Sequence, residues 1–203
     1  TAAAGGSQTS IDIFHAEDLN ARSATLARQA SLPLIATEAA VPTQRSSEDR
    51  GMVVHSATAI KTQQHAGVLV GGTLLNRNLN FIDTINALVY RAKGSDRQGT
   101  ATLFLEDVRI STNVRLFEDV RALGTRVSAA VRSRVLDDGL TWLDRAFVVN
   151  DWYISGYQPI TDSFGNRVGM LYVGFLEAPY RATIRSAYVI SFGALLFVLI
   201  LTG

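Results

Sequence analysis

The chain has 203 residues, a formal net charge of +1, 18% charged side chains and no cysteine. The near-zero charge with mixed signs excludes the basic face that nucleic acid requires. The missing thiols exclude disulfides, thiolate metal centres, Fe–S ligation and cysteine nucleophiles, without locating the chain in a compartment.

The first residues, TAAAGGSQTS, are small and polar and lack the basic-then-apolar pattern of a signal peptide, so they are expected to be the start of a fragment or a loop entered midway. Over Ile11 to Ala40, either Asp18 or Ser23 caps a short helix across 24–31, before Pro33 and Pro42 interrupt the pattern. TQRSSEDRG, 43–51, reads as a charged turn. MVVHSATAI and GVLVGGTLL, joined by KTQQH, read as an antiparallel hairpin, with a bend or a bulge at Gly71 and Gly72. No phosphate-loop spacing is present in the second of these strands.

NRNLNFIDTINALVY places Leu79, Ile82, Ile85 and Leu88 on one stripe of a helix, capped by Asn76 or Asn78. The polar run 91–100 ends it and marks a boundary. ATLFL follows as a strand, then a turn at Glu106 and Asp107, then VRISTNV as a second strand or an extended segment. RALGTRVSAAVRSRVLDDG then predicts a helix with Ser128 as cap, Val131 and Val135 on one face and Gly139 just past its end. TWLDRAFVVN and DWYISGYQPI pair next, with the turn at Asn150 and Asp151, so that Val149 faces Trp152 and Phe147 faces Ile154. Alternation puts Leu143, Arg145, Phe147, Val149, Trp152 and Ile154 on one face, and Trp142, Asp144, Ala146, Val148, Tyr153, Ser155 and Tyr157 on the other. Both faces should be partly covered. VGMLYVGFLE is the last strand. The expected assembly is a five-stranded antiparallel sheet with helices on one side, an α+β fold.

From Ser186 to Gly203 no charged residue occurs, and the run reads as the start of a transmembrane helix, the alternative being a buried C-terminal helix. Arg181 and Arg185 before it would put this neck in the cytoplasm by charge alone.

Histidines 15, 55 and 65 show no metal-ligand spacing, and no local pattern suggests a catalytic set; neither cofactor nor metal is expected. Asp144 and Asp151, mid-strand and at a turn, do not make an acid/base pair. Candidate ligand contacts are Arg109 and Arg145 as bidentate donors, Ser111, Thr112 and Asn113 as neutral hydrogen-bonding groups, and Trp152, Tyr153 and Tyr157 as aromatic walls with polar tips. Parity forbids all of them from lining one pocket.

ATLFLEDVRISTNV, GTRVSAAV and GLTWLDRAFVVNDWYISGYQPITDSFGNRVGMLYVG resemble the opening hairpin, helix and closing three strands of the extracytoplasmic Cache sensor modules of bacterial transmembrane receptors, a PAS-like fold. GMVVHSATAI and GVLVGGTLLNRNLNFIDTINALVY resemble the end of the membrane-distal module of double-Cache receptors. The organisation implied is 1–75 partial distal module, 76–99 connecting helix and linker, 100–180 membrane-proximal module, and 186–203 start of the membrane helix. The resemblance implies an outside (periplasmic) sensor region that binds a small polar molecule, an organic acid or amino acid, against the aromatic face. It also implies a homodimer at the cytoplasmic membrane and an output domain that is a histidine kinase, a chemoreceptor signalling domain or a cyclic-dinucleotide enzyme. It overrides the neck charges as a guide to topology. The competing reading is a structural or protein-interaction domain.

Overall fold

The computed structural model describes residues 7–61, 66–90, 99–117, 120–149 and 151–178, with Arg181, Ser186, Tyr188, 190–193 and Ile200 beyond them. In chain order the elements are β1 (Ser7–Phe14), α1 (Ala16–Arg22), α2 (Ala24–Ala30), β2 (Leu32–Pro33), β3 (Ser47–Glu48), β4 (Gly51–Lys61), β5 (Ala66–Leu74) and α3 (Leu79–Val89). There follow β6 (Gly99–Leu105), β7 (Val108–Thr112), β8 (Arg115–Phe117), β9 (Val120–Arg121), α4 (Ala129–Arg132), β10 (Trp142–Val148), β11 (Asp151–Thr161) and β12 (Arg167–Leu176), with a π-helical turn at Ser133–Asp137 extending α4. A five-stranded antiparallel sheet has the order β10-β11-β12-β6-β7, and a three-stranded sheet has the order β1-β4-β5.

The expected hairpins, helices and sheet are present. Ser23 caps α2 by accepting from the amide of Thr25, and Asn78 caps α3 by accepting from that of Phe81. Ser128 accepts from the amide of Val131 at the start of α4, and Gly139 follows the π turn at φ 73°, where a side chain would be strained. Sequence reading missed the short strands β2, β3, β8 and β9 and the longer β1, which pairs antiparallel with β4 from Ser7↔Thr58 to Phe14↔Gly51.

Helices flank both faces of the large sheet, not one. Alternation along β6 sorts Phe104 to one side and Leu103 and Leu105 to the other. On Phe104's side, Val131, Val135 and Leu136 from α4 and the π turn pack on Ala146, Val148, Tyr157, Met170 and Tyr172. On the opposite side, Ile82 of α3 joins Leu32, Met52, Leu75, Leu103, Leu105, Val108 and Ile110. The N-terminal residues Leu32 and Met52 thus share a core with the large sheet.

That second side is covered over β6, β7, β12 and the end of β11 at Ile160. Across β10 and the start of β11 it lies open, with Leu143 81% and Phe147 58% exposed beside Trp152 and Ile154. The expectation that both faces would be partly covered fails here. The expected pairing of these strands is also corrected. Val148 faces Asp151 and Phe147 faces Trp152, because the turn starts one residue earlier, at Val149 (φ 63°). The register changes by two residues, so the strand residues keep their expected faces, but Val149, now in the turn, packs on Phe104's side and not on the side of Leu143.

Asn76 ties the N-terminal half to this frame. Fully buried, its side chain accepts from the amide of Met52 at 2.9 Å and donates to the carbonyls of Ala30 (3.1 Å) and Arg50 (3.0 Å). Asn76→Ala would leave one buried amide and two carbonyls without that partner, at about 1–3 kcal/mol each before relaxation. The expected loss is about 3–5 kcal/mol, read as a lower urea midpoint with unchanged slope. A loss below about 1 kcal/mol would mean that other groups replace those bonds.

No helix among the described residues is long and apolar enough to cross a membrane. Most of the expected membrane segment, 186–203, lies outside the described residues. Its described members are helical, with Tyr188, Ile190, Phe192 and Ile200 all exposed.

Candidate functional site

On Phe104's side of the sheet is a cavity of about 410 Å³, at the small end of ligand pockets. Its wall comes from β7, the segment 125–128, the β10–β11 hairpin and an N-terminal stretch, 35–39.

Arg109 reaches this cavity because of a β-bulge. The β6–β7 register pairs Phe104 with Arg109, Leu103 with Ser111 and Thr102 with Thr112, and the extra residue is Ile110. Arg109 and Thr112 therefore share the cavity face, although simple alternation would separate them. Ile110 turns into the opposite core. Ser111 donates to the carbonyl of Asn78 at 2.9 Å.

Arg109 is 3% exposed. Its Nη1 donates to Thr125 Oγ1 at 2.8 Å, and that hydroxyl donates onward to the carbonyl of Ala122 at 2.8 Å. The guanidinium carbon lies 5.2 Å from the centroid of the Phe104 ring. Its Nε has no hydrogen-bond partner, and no carboxylate among the described residues pairs with it. Burial lowers its pKa below the ordinary arginine value, and the tyrosines Tyr157, Tyr172 and Tyr153 pull the other way.

Beside it, the rings of Tyr157 and Tyr172 are 4.7 Å apart between centroids. Burial pushes the Tyr157 phenol up to about 12, and Tyr172 and Tyr153 are also raised by burial. Near neutral pH these phenols are uncharged, so they do not neutralise Arg109. Arg126, also at the cavity, differs: its Nη2 donates to Asp107 Oδ2 at 2.6 Å and its Nη1 to the carbonyl of Val41.

Residues 35–39 cross the cavity as a strap. The amide of Ile35 donates to the carbonyl of Gly124 (2.9 Å), Thr37 Oγ1 accepts from the amide of Arg126 (3.1 Å), and the carbonyl of Ala39 accepts from the amide of Ala129 (2.8 Å). Gly124 is required at the first contact: φ is +78°, and a Cβ there would overlap the carbonyl oxygen of Pro33.

Of the predicted contacts, Arg109 and Tyr157 line the cavity, and Tyr153 packs against the core beside it. Thr112 is fully buried, its hydroxyl 2.6 Å from that of Thr102. Asn113 Oδ1 accepts from the amide of Ala101. Arg145 and Trp152 are on the open face: the Arg145 guanidinium stacks on the Trp152 ring at 4.7 Å and its Nε pairs with Glu177 Oε1 at 2.8 Å. Thr125, Arg126 and Glu38 were missed. They lie in loops without periodicity, where only the fold brings them to the cavity.

A His–Asp–Ser contact elsewhere is not a catalytic set. Asp12 sits in the middle, 2.6 Å from His55 Nε2 and accepting from Ser163 Oγ at 2.7 Å. The histidine is bonded to the carboxylate and not to the hydroxyl, so no base is paired with that nucleophile. Among the described residues no group of His, Asp and Glu is placed to hold a metal ion.

No curated protein matches the chain. A family model described as single cache domain 3 matches residues 73–187, more than half of the chain and all five strands of the large sheet. The PAS-like sheet with flanking helices is the fold expected of that family, whose general role is extracytoplasmic sensing by a non-catalytic domain. The chain belongs to the single Cache domain family.

Proposed function

We propose that this chain is the extracytoplasmic ligand-sensing region of a bacterial signal-transduction receptor, and that its cavity receives a small carboxylate. The observation that carries the reading is Arg109, a buried cation at the cavity wall with an unsatisfied Nε and no acidic partner among the described residues. Burying an unpaired charge costs several kcal/mol, and a ligand carboxylate with bidentate geometry offsets that cost.

Output passes through the β10–β11 hairpin. Its cavity face carries Ala146 and Val148. Its other face carries Arg145, which grips Glu177 just after β12, and Glu177 also holds Arg181 at 2.9 Å. A ligand shifts the receptor only by its differential affinity for two arrangements of this unit. The membrane anchor beyond, a homodimeric assembly, and a membrane-distal module ending in the β4–β5 hairpin, with α3 as the connecting helix, are parts of the same proposal.

The test is a thermal-shift screen of the chain with small organic acids and amino acids. A ligand at a hundred times its Kd should stabilise by about 2.7 kcal/mol. Arg109→Gln should abolish the shift, whereas Arg145→Ala should leave affinity within about threefold. Hits that survive Arg109→Gln would refute the assignment. A second reading, a protein-interaction domain, is favoured by the open apolar face at Leu143, Phe147, Trp152 and Ile154. Arg109-dependent binding of a carboxylate belongs only to the first.

A further inference from the structure

The open face of β10 and β11 has one end at the neck. Phe147 and Trp152 are paired across the two strands, their ring centroids 5.6 Å apart, and the carbonyl of Trp152 accepts from the amide of Glu177 at 3.0 Å. The tip of the hairpin is therefore level with the point where the chain leaves β12. Arg145 and Ile154 are one pair further up, beside Phe175, and Leu143 is two pairs up, about 13 Å from Phe147 along the strand. None of Leu143, Phe147, Trp152 and Ile154 belongs to a core cluster.

The run without charge, Ser186–Gly203, starts nine residues after Glu177, within about 32 Å even at full stretch. The path is shortened at its start, because the amide of Arg181 donates to the carbonyl of Glu177 at 3.1 Å, one helical turn on. The side chains at this end suit a bilayer interface. Tryptophan and phenylalanine settle at the boundary of headgroups and acyl chains, and the Arg145 guanidinium over the Trp152 ring gives the pair a polar cap. The charges there cancel, Arg145 and Arg181 against Glu177 and Asp151. That balance favours neither an acidic nor a basic protein surface, and leaves apolar burial as the attraction.

Resting on the membrane-anchored reading of the chain, we propose that the tip of the β10–β11 hairpin is a lipid contact: Phe147 and Trp152 dip into the interface of the bilayer that carries 186–203. Leu143, further from the neck, stays in water.

Trp142→Phe leaves Trp152 as the single tryptophan and removes a buried Nε1 that has no hydrogen-bond partner. With the whole chain in phosphatidylcholine vesicles, bromine on the acyl chains near the headgroups should quench Trp152 emission by about half, and bromine at the chain ends by much less. Trp142, read in Trp152→Phe, should lose less than about a tenth, because it packs on the cavity side. Phe147→Ser should cut the Trp152 quenching about twofold or more, and Leu143→Ser should leave it unchanged. If Trp142→Phe does not fold, the difference in quenching between the unaltered chain and Trp152→Phe gives the same quantity. Equal quenching of the two tryptophans, or an effect of Leu143→Ser as large as that of Phe147→Ser, would overturn the lipid contact. Trp152 emission shielded from aqueous iodide yet insensitive to brominated lipid would overturn it too, and give the face to a second copy or a partner protein. A chain that floats with the vesicles while Trp152 stays unquenched loses only the contact; a chain that does not float loses the membrane anchor as well.

Discussion

Arg109→Met should make the ligand-free protein more stable and its carboxylate response undetectable. The two effects have one cause. Methionine fills a similar volume without a charge, which removes a desolvation cost of several kcal/mol. Against that stand one hydrogen bond to Thr125, worth about 1–2 kcal/mol, and the stacking on Phe104, worth about 1 kcal/mol. Thr125 is not orphaned, because its hydroxyl still donates to the carbonyl of Ala122. The net gain should be about 1–3 kcal/mol, and each kcal/mol raises Tm by about 2–4 °C in a chain of this size. A purely structural arginine predicts the opposite sign. A drop of more than about 1 kcal/mol in the ligand-free variant would therefore take Arg109 out of the binding role.

The segment 73–187 alone should fail to unfold cooperatively. Cutting there removes Leu32 and Met52, both 2% exposed or less, from the core over β6 and β7. Each such loss costs about 2–5 kcal/mol. It also removes Glu48 and Arg50. Glu48 is 1% exposed and is bonded by Arg45 and by Arg50, and Arg50 bridges to Glu106 at 2.7 Å, at the β6–β7 turn. Glu48 and Glu106 are both held below the ordinary carboxylate value; burial opposes this, and the bonds to Arg50 outweigh it. The summed loss approaches the whole stability of a typical domain, about 5–15 kcal/mol. Calorimetry should show a sharp transition for the full chain and none for the segment. A cooperative transition from the segment, within a few degrees of the full chain, would show that the N-terminal half is dispensable to the fold.

The large sheet was legible because its strands carry clear alternation and its helices carry polar caps. Asn78, Ser128 and Gly139 stand where sequence reasoning put them. The turn between β10 and β11 was misplaced for a physical reason. Asn150 and Asp151 are the residues that tolerate tight turns, whereas the structure spends a β-branched Val149 at positive φ. The bulge at Ile110 has no glycine to announce it, so nothing local showed that Arg109 and Thr112 share a face. In β1, SQTSIDIF alternates weakly, and its identity as a strand comes from β4 beside it. The site was half visible. Arg109 and Tyr157 were named for their chemistry, and Arg145 and Trp152 for the same chemistry, but parity left open which face holds the cavity. Glu38 and Arg126 carried no local signal, because irregular segments acquire neighbours only through the tertiary fold.

Arg145 and Ala146 are consecutive residues of β10, one gripping the neck at Glu177 and the other bordering the cavity. Adjacent residues of a strand share one peptide plane. The pocket lining therefore has no private freedom: a rotation of that plane that reshapes the binding chamber must also reposition the clamp at the exit, like the two pans of a balance fixed to a single beam.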